Sequence, residues 1–97
     1  MKISKNFENG VFTVILEGRL DTLTAPELEK ELGELNGVKD LVIDMEKLDY
    51  ISSAGLRVIL KAQKIMNTQG AMKLLKVDES VMEVFEITGF VDILNIE

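Results

Sequence analysis

Two serines stand side by side at Ser52 and Ser53, where an apolar run gives way to a short polar loop and then to an amphipathic stretch. A hydroxyl at the start of a helix meets unpaired backbone N–H groups and the positive end of the helix dipole. There it caps the helix or carries an anion, and a phosphoryl group on serine suits the position electrostatically. One hydroxyl is enough for a cap, so a tandem pair leaves one over. Gly55, inside the first turn, presents bare backbone, which fits either close approach by another molecule or a tight helix–strand contact.

Asp21 and Asp44 lie at or beyond the ends of apolar runs, the rim at which open α/β sheets meet ligands and partners. Two carboxylates can assist phosphoryl transfer, but they are too few to make a hard-cation site. Asp21 reads either as a rim contact residue or as a turn residue that bonds local backbone. Arg57, Lys61 and Lys64 recur at i, i+4 and i+7, a solvated helix face or a place for an acidic partner to dock. The chain has no histidine and no cysteine. Imidazole-assisted serine chemistry, thiolate chemistry, disulfides and the usual zinc ligands are therefore excluded. Neither a Walker-type loop nor Gly-x-Gly-x-x-Gly occurs, so a nucleotide-binding protein, the alternative class, lacks its usual motif. No catalytic residue, metal or cofactor is expected.

The elements that must position these residues follow from periodicity. Ninety-seven residues, 46% of them hydrophobic, are expected to make one domain over residues 1–97. Eleven basic against 17 acidic residues, a net charge of −6, disfavour nucleic acid as a direct partner. No window suggests a signal peptide or a membrane span, and a cytoplasmic location is expected. Residues Met1 to Phe7 read as an edge strand, Asn9-Gly10 as a type I′ turn, and Val11 to Leu16 as a strand covered on both faces. Thr24 with Glu27 forms a candidate capping box, Pro26 suits the first turn, and the helix they open runs to a stop at Asn36-Gly37. Leu41 to Met45 predicts the next strand, Ser53 to about Gln69 the next helix, and Met72 to Leu75 a short strand. Ser80 with Glu83 caps a helix that Gly89 ends, and Val91 to Ile96 supplies a last short strand. Met45, Met66 and Met82 read as core filler. Strand and helix alternate after the hairpin, so the expectation is a small α/β domain with a mixed, mostly parallel sheet and packed helices.

Leu48-Asp49-Tyr50-Ile51-Ser52-Ser53-Ala54-Gly55-Leu56 after Leu-Val-Ile-Asp, Gly18-Arg19-Leu20-Asp21 before the first helix, and Thr88-Gly89-Phe90 near the end together resemble the signature of STAS-domain anti-sigma-factor antagonists. The likeness runs from about Val11 to Phe90. It implies a domain that binds an anti-sigma factor which is also a serine kinase, frees a sigma factor for transcription, and is switched off when that kinase phosphorylates it. A metal-dependent serine phosphatase reverses the step. Carried over, the phosphoacceptor is Ser53, two places before Gly55. The partner surface is Asp21 with Thr22, Ser52, Ala54, Gly55, Leu56 and Arg57. Many members have aspartate where Ser52 stands, which makes Ser52 the alternative acceptor. The C-terminal helix common in the family is expected to be missing. STAS domains also serve as unphosphorylated regulatory subunits of membrane transport complexes, the alternative function.

Overall fold

In the computed structural model, which describes residues 1–97, the chain opens with the expected hairpin. Strands β1 (Lys2–Glu8) and β2 (Val11–Leu20) pair antiparallel from Lys2↔Glu17 to Glu8↔Val11. Asn9 and Gly10 between them take φ of 53° and 81°, the two positive angles a type I′ turn requires. There follow α1 (Ala25–Glu31), β3 (Asp40–Ile51), α2 (Ser53–Met66), β4 (Ala71–Leu75), α3 (Glu79–Thr88) and a 3-10 turn over Phe90–Asp92. The sheet order is β1-β2-β3-β4, with β2/β3 and β3/β4 parallel. This is the mixed, mostly parallel α/β sheet expected.

The crossovers from β2 to β3 and from β3 to β4 step one place in the same direction. Right-handed connections then lay α1 and α2 on the same face. The 24-residue core agrees: it joins Leu28, Ile59 and Phe85 of the three helices to Val14, Leu41, Ile43 and Leu74 of the sheet, and it leaves out Val42 on the opposite side. Fully burying a side chain such as Phe85 or Ile43 contributes about 1.5–3 kcal/mol. The other face is open, which corrects the reading of β2 as covered on both sides. Phe12, Val14 and Leu16 are buried while Ile15 between them is 40% exposed. Val42 escapes exposure because Thr13 and Lys73 flank it in register.

Several boundaries differ from expectation for local reasons. Helix α1 ends at Glu31, not at Asn36-Gly37, because Gly33 interrupts it. Leu35 and Val38 stay buried in the following loop, and the Gln69 side chain donates to both their carbonyls. Strand β3 runs to Ile51, so residues 46–51 are strand rather than loop. Helix α2 ends at Met66 instead of Gln69, where Thr68 turns its hydroxyl onto the Ile65 carbonyl at 2.7 Å. The cap of α3 is Asp78, not Ser80: its carboxylate accepts from the Ser80 N–H at 2.8 Å. Val91 to Ile96 is not a strand but the 3-10 turn and one parallel bridge, Ile96 to Leu74. Met45 and Met66 are fully buried, whereas Met82 is half-buried.

Candidate functional site

Strands β2 and β3 outrun β4. The β3/β4 ladder ends at Asp44↔Leu75, while β2 and β3 stay paired as far as Leu20↔Ile51. Two register shifts, between Ile15 and Glu17 and between Gly18 and Arg19, each take up one extra residue of β3. Beyond the last pair the Ser52 N–H donates to the Leu20 carbonyl at 2.9 Å. The turn after β2 and the turn after β3 therefore leave the sheet side by side. That ties Asp21–Thr24 to Ser52–Ala54 on one rim.

On the β2 side, Asp21 organises the turn. Its Oδ1 accepts from the N–H groups of Leu23 (3.0 Å) and Thr24 (3.1 Å). The Thr24 hydroxyl donates to the Arg19 carbonyl at 2.7 Å and accepts from the Asp21 N–H at 2.9 Å. Thr24 is the N-cap of α1, yet its side chain bonds backward into the turn and makes no cap bond, so the expected Thr24–Glu27 capping box does not form. The Asp21 carboxyl sits below its ordinary value of 3.8, chiefly because of the Thr24 N–H. The Leu23 N–H, the Thr24 hydroxyl and Arg19 add to this, against the opposing effect of partial desolvation. Of the two readings of Asp21, the turn residue is directly visible. Its other oxygen, Oδ2, lies 3.9 Å from Arg19 Nε.

On the β3 side the two serines divide the work. Ser52 is the N-cap of α2 in extended conformation, and its Oγ accepts from the Gly55 N–H at 3.4 Å, a long bond. Ser53 is the first helical residue, exposed, and its hydroxyl bonds nothing. It stands in the first turn, where a helix leaves its N–H groups without intrahelical partners. Gly55 resolves as a tight helix–strand contact. A Cβ there would stand 2.6 Å from Leu20 Cγ and 3.0 Å from Ile51 Cγ1, so the glycine lets α2 start directly against the strand ends. Gly55 and Leu56 are buried; among the residues expected on the partner surface these two face inward, and they shape the rim instead of presenting side chains from it. Thr22 and Arg57 are exposed, and Asp21, Ser52 and Ala54 half-buried.

Asp44 does not join this rim, which corrects its placement at a strand end. Strand β3 continues seven residues beyond it to Ile51, roughly 20 Å at about 3.3 Å per residue. Asp44 instead accepts from the Glu46 N–H at 3.0 Å and lies 3.8 Å from Lys76 Nζ. Lys61, in the middle of the basic stripe, reaches Glu29 of α1 at 3.4 Å.

Three rim residues escaped the sequence reading. Leu23 is 85% exposed. Its signal was available: it is an apolar residue out of phase with the Ala25, Leu28 and Leu32 stripe, so α1 has no inward face for it. Tyr50 and Arg19 pair across the second bulge, with the guanidinium carbon 4.2 Å from the ring centroid, a cation–π contact. Only the register shift makes them neighbours.

The family model for the STAS domain matches residues 2–97. The chain belongs to the STAS family. Within it, the chain is 38% identical to a candidate anti-sigma factor antagonist, BtrV, of Bordetella bronchiseptica, over 99% of this chain and 85% of that protein. It is 28% identical to an anti-sigma-B factor antagonist of Staphylococcus aureus, over 99% and 92%. The fold superposes on the anti-sigma factor antagonist SpoIIAA in its unphosphorylated form with a TM-score of 0.85 at 17% identity, over 99% of this chain and 88% of that one. The STAS domain described here thus sits among anti-sigma factor antagonists. None of its helices is long and apolar enough to cross a membrane.

Proposed function

We propose that this STAS domain is a cytoplasmic, non-enzymatic anti-sigma-factor antagonist. Its rim binds an anti-sigma factor that is also a serine kinase, and phosphorylation of Ser53 switches the binding off. Bound antagonist frees the sigma factor for transcription, and a metal-dependent serine phosphatase restores the binding form. The observation that carries this reading is the division between the serines. Ser52 is occupied as the cap of α2, while the Ser53 hydroxyl is exposed and unbonded at the helix entrance. That supports Ser53 over Ser52 as acceptor.

The physics of the switch follows. A phosphoserine brings about −1.5 to −2 charges near neutral pH. The fold tolerates them at the start of a 14-residue helix, where free N–H groups and the dipole favour an anion. A protein packed on the same rim must accommodate both charge and bulk. Leu23 offers that partner an apolar contact, with Asp21, Thr22, Ala54 and Arg57 around it.

Incubation with the cognate kinase and ATP is expected to add one phosphate to the wild type and none to Ser53→Ala, read by intact mass. Ser53→Asp is expected to keep its melting temperature and lose partner affinity at least a hundredfold, about 2.7 kcal/mol, by titration calorimetry. Phosphate on Ser52, or full binding by Ser53→Asp, sinks the reading. Binding with no phosphate acceptance at all favours the regulatory subunit of a transport complex instead.

A further inference from the structure

Strand β1 is a free sheet edge whose sequence is complementary to itself. Its ladder with β2 is continuous from Lys2↔Glu17 to Glu8↔Val11. In a hairpin closed by a two-residue type I′ turn, the pair flanking the turn exchanges hydrogen bonds, and the bonded pairs alternate from there. Glu8, Asn6, Ser4 and Lys2 therefore bond β2. Ile3, Lys5 and Phe7 point their N–H and C=O groups outward, and no backbone bond outside the ladder reaches them. The opposite edge of the sheet is partly closed by the chain itself: the Leu74 N–H donates to Asn95 and its carbonyl accepts from Glu97, at 2.9 and 2.8 Å. Nothing does this for β1.

We infer that β1 pairs antiparallel with β1 of a second copy of this chain about a two-fold axis at Lys5, joining two four-stranded sheets into one. The occupant follows from what the outward groups allow. Only residues 3, 5 and 7 can form bonded pairs, and the register that uses all three sets Lys5 against Lys5 and Ile3 against Phe7. That register places Ser4 opposite Asn6 and Lys2 opposite Glu8, at the closer, non-bonded positions of an antiparallel ladder. Opposite charges thus meet twice, and directly opposed charges of unlike sign favour pairing. Neither Lys2 nor Glu8 has an ion pair within its own chain. Phe7, which packs edge-on against Phe12 and is otherwise 57% exposed, gains Ile3 of the other copy as cover. The one unfavourable pair, Lys5 with Lys5, is offset because each Lys5 is held by Glu31 of its own α1. A two-fold contact of this kind closes on itself and does not propagate into a fibre.

The test is sedimentation equilibrium of the full chain at concentrations up to about 1 mM. The wild type is expected to approach twice the 10.8 kDa chain mass. Glu8→Lys, which sets lysine against lysine at both ends, is expected to weaken association tenfold or more. Lys2→Glu combined with Glu8→Lys restores the complementarity and is expected to restore the dimer. Lys5→Pro removes an outward donor without touching the β2 ladder, so it is expected to stay monomeric with an ordinary thermal melt. A wild type that remains at single-chain mass throughout, a dimer indifferent to Glu8→Lys, or a charge swap that fails to rescue overturns the inference. The outcome is independent of phosphorylation at Ser53, because β1 contributes no residue to the rim.

Discussion

Ser52 and Ser53 differ by one position and by everything that position implies. Ser52 lies in extended backbone with its hydroxyl turned to the helix, whereas Ser53 is already helical and its hydroxyl makes no cap bond. Ser52→Ala is expected to destabilise the domain by about 0.5–1 kcal/mol, the low end for a cap because the 3.4 Å bond is long. Ser53→Ala is expected to stay within about 0.5 kcal/mol of wild type, as surface substitutions without partners do. Urea denaturation of the two variants separates them, and equal losses contradict the assignment. Asp21 is the third residue at which chemistry and structure meet. Its carboxyl titrates below 3.8 in the folded chain. A depressed carboxyl contributes stability that is fully present above the unfolded value and is lost as pH falls through the folded one. The stability advantage of wild type over Asp21→Asn is thus expected to be constant near neutral pH and to shrink below 3.8. An advantage that persists unchanged in acid removes the turn from the account of Asp21.

At the scale of elements, the site is a consequence of two strands that continue past the rest of the sheet. The extra length of β3, 12 residues against 10 in β2, is absorbed by the two bulges. Bulges increase local twist and re-aim side chains, here bringing Tyr50 over to Arg19 and Ile51 level with Leu20. Helix α2 can begin at that level only because Gly55 has no Cβ. Gly55→Ala forces Leu20, which is fully buried, to move, and overpacking of this kind costs about 1–3 kcal/mol. For a domain of this size that corresponds to a melting point lower by roughly 4–24 °C, taking about 4–8 °C per kcal/mol. Partner binding by Gly55→Ala is expected to weaken as well, since α2 and both rim turns shift together. A calorimetric melt indistinguishable from wild type excludes the close contact. Helix α1, only seven residues long, contributes less by its own length than by the Asp21–Thr24 turn that starts it and the Glu29 and Glu31 side chains that hold Lys61 and Lys5.

At the scale of the molecule, the architecture is asymmetric. Two successive crossovers in one direction put the helices on one face of the sheet, leaving Thr13, Ile15, Val42 and Asp44 on the other. One end of the β2–β3 ribbon carries the rim. One lateral edge, β4, is partly closed by the chain's last residues, while the other edge is bare. The sequence by itself determined the alternation of elements, the hairpin turn, the two-serine helix entrance and the placing of Asp21 before a helix. Each rests on local chemistry: positive φ at Asn9-Gly10, periodicity along the strands and helices, and hydroxyl or carboxylate groups near unpaired N–H groups. The family signature was also legible, because it consists of short contiguous stretches that follow one another in order along the chain. Only the tertiary structure decided which serine is free, that Gly55 serves packing, that Asp44 lies far from Asp21, and that Leu23, Arg19 and Tyr50 share the rim. These depend on strand register and on how closely α2 approaches Leu20 and Ile51. Register is a pairing between distant parts of the chain, and no local spacing along the sequence encodes it.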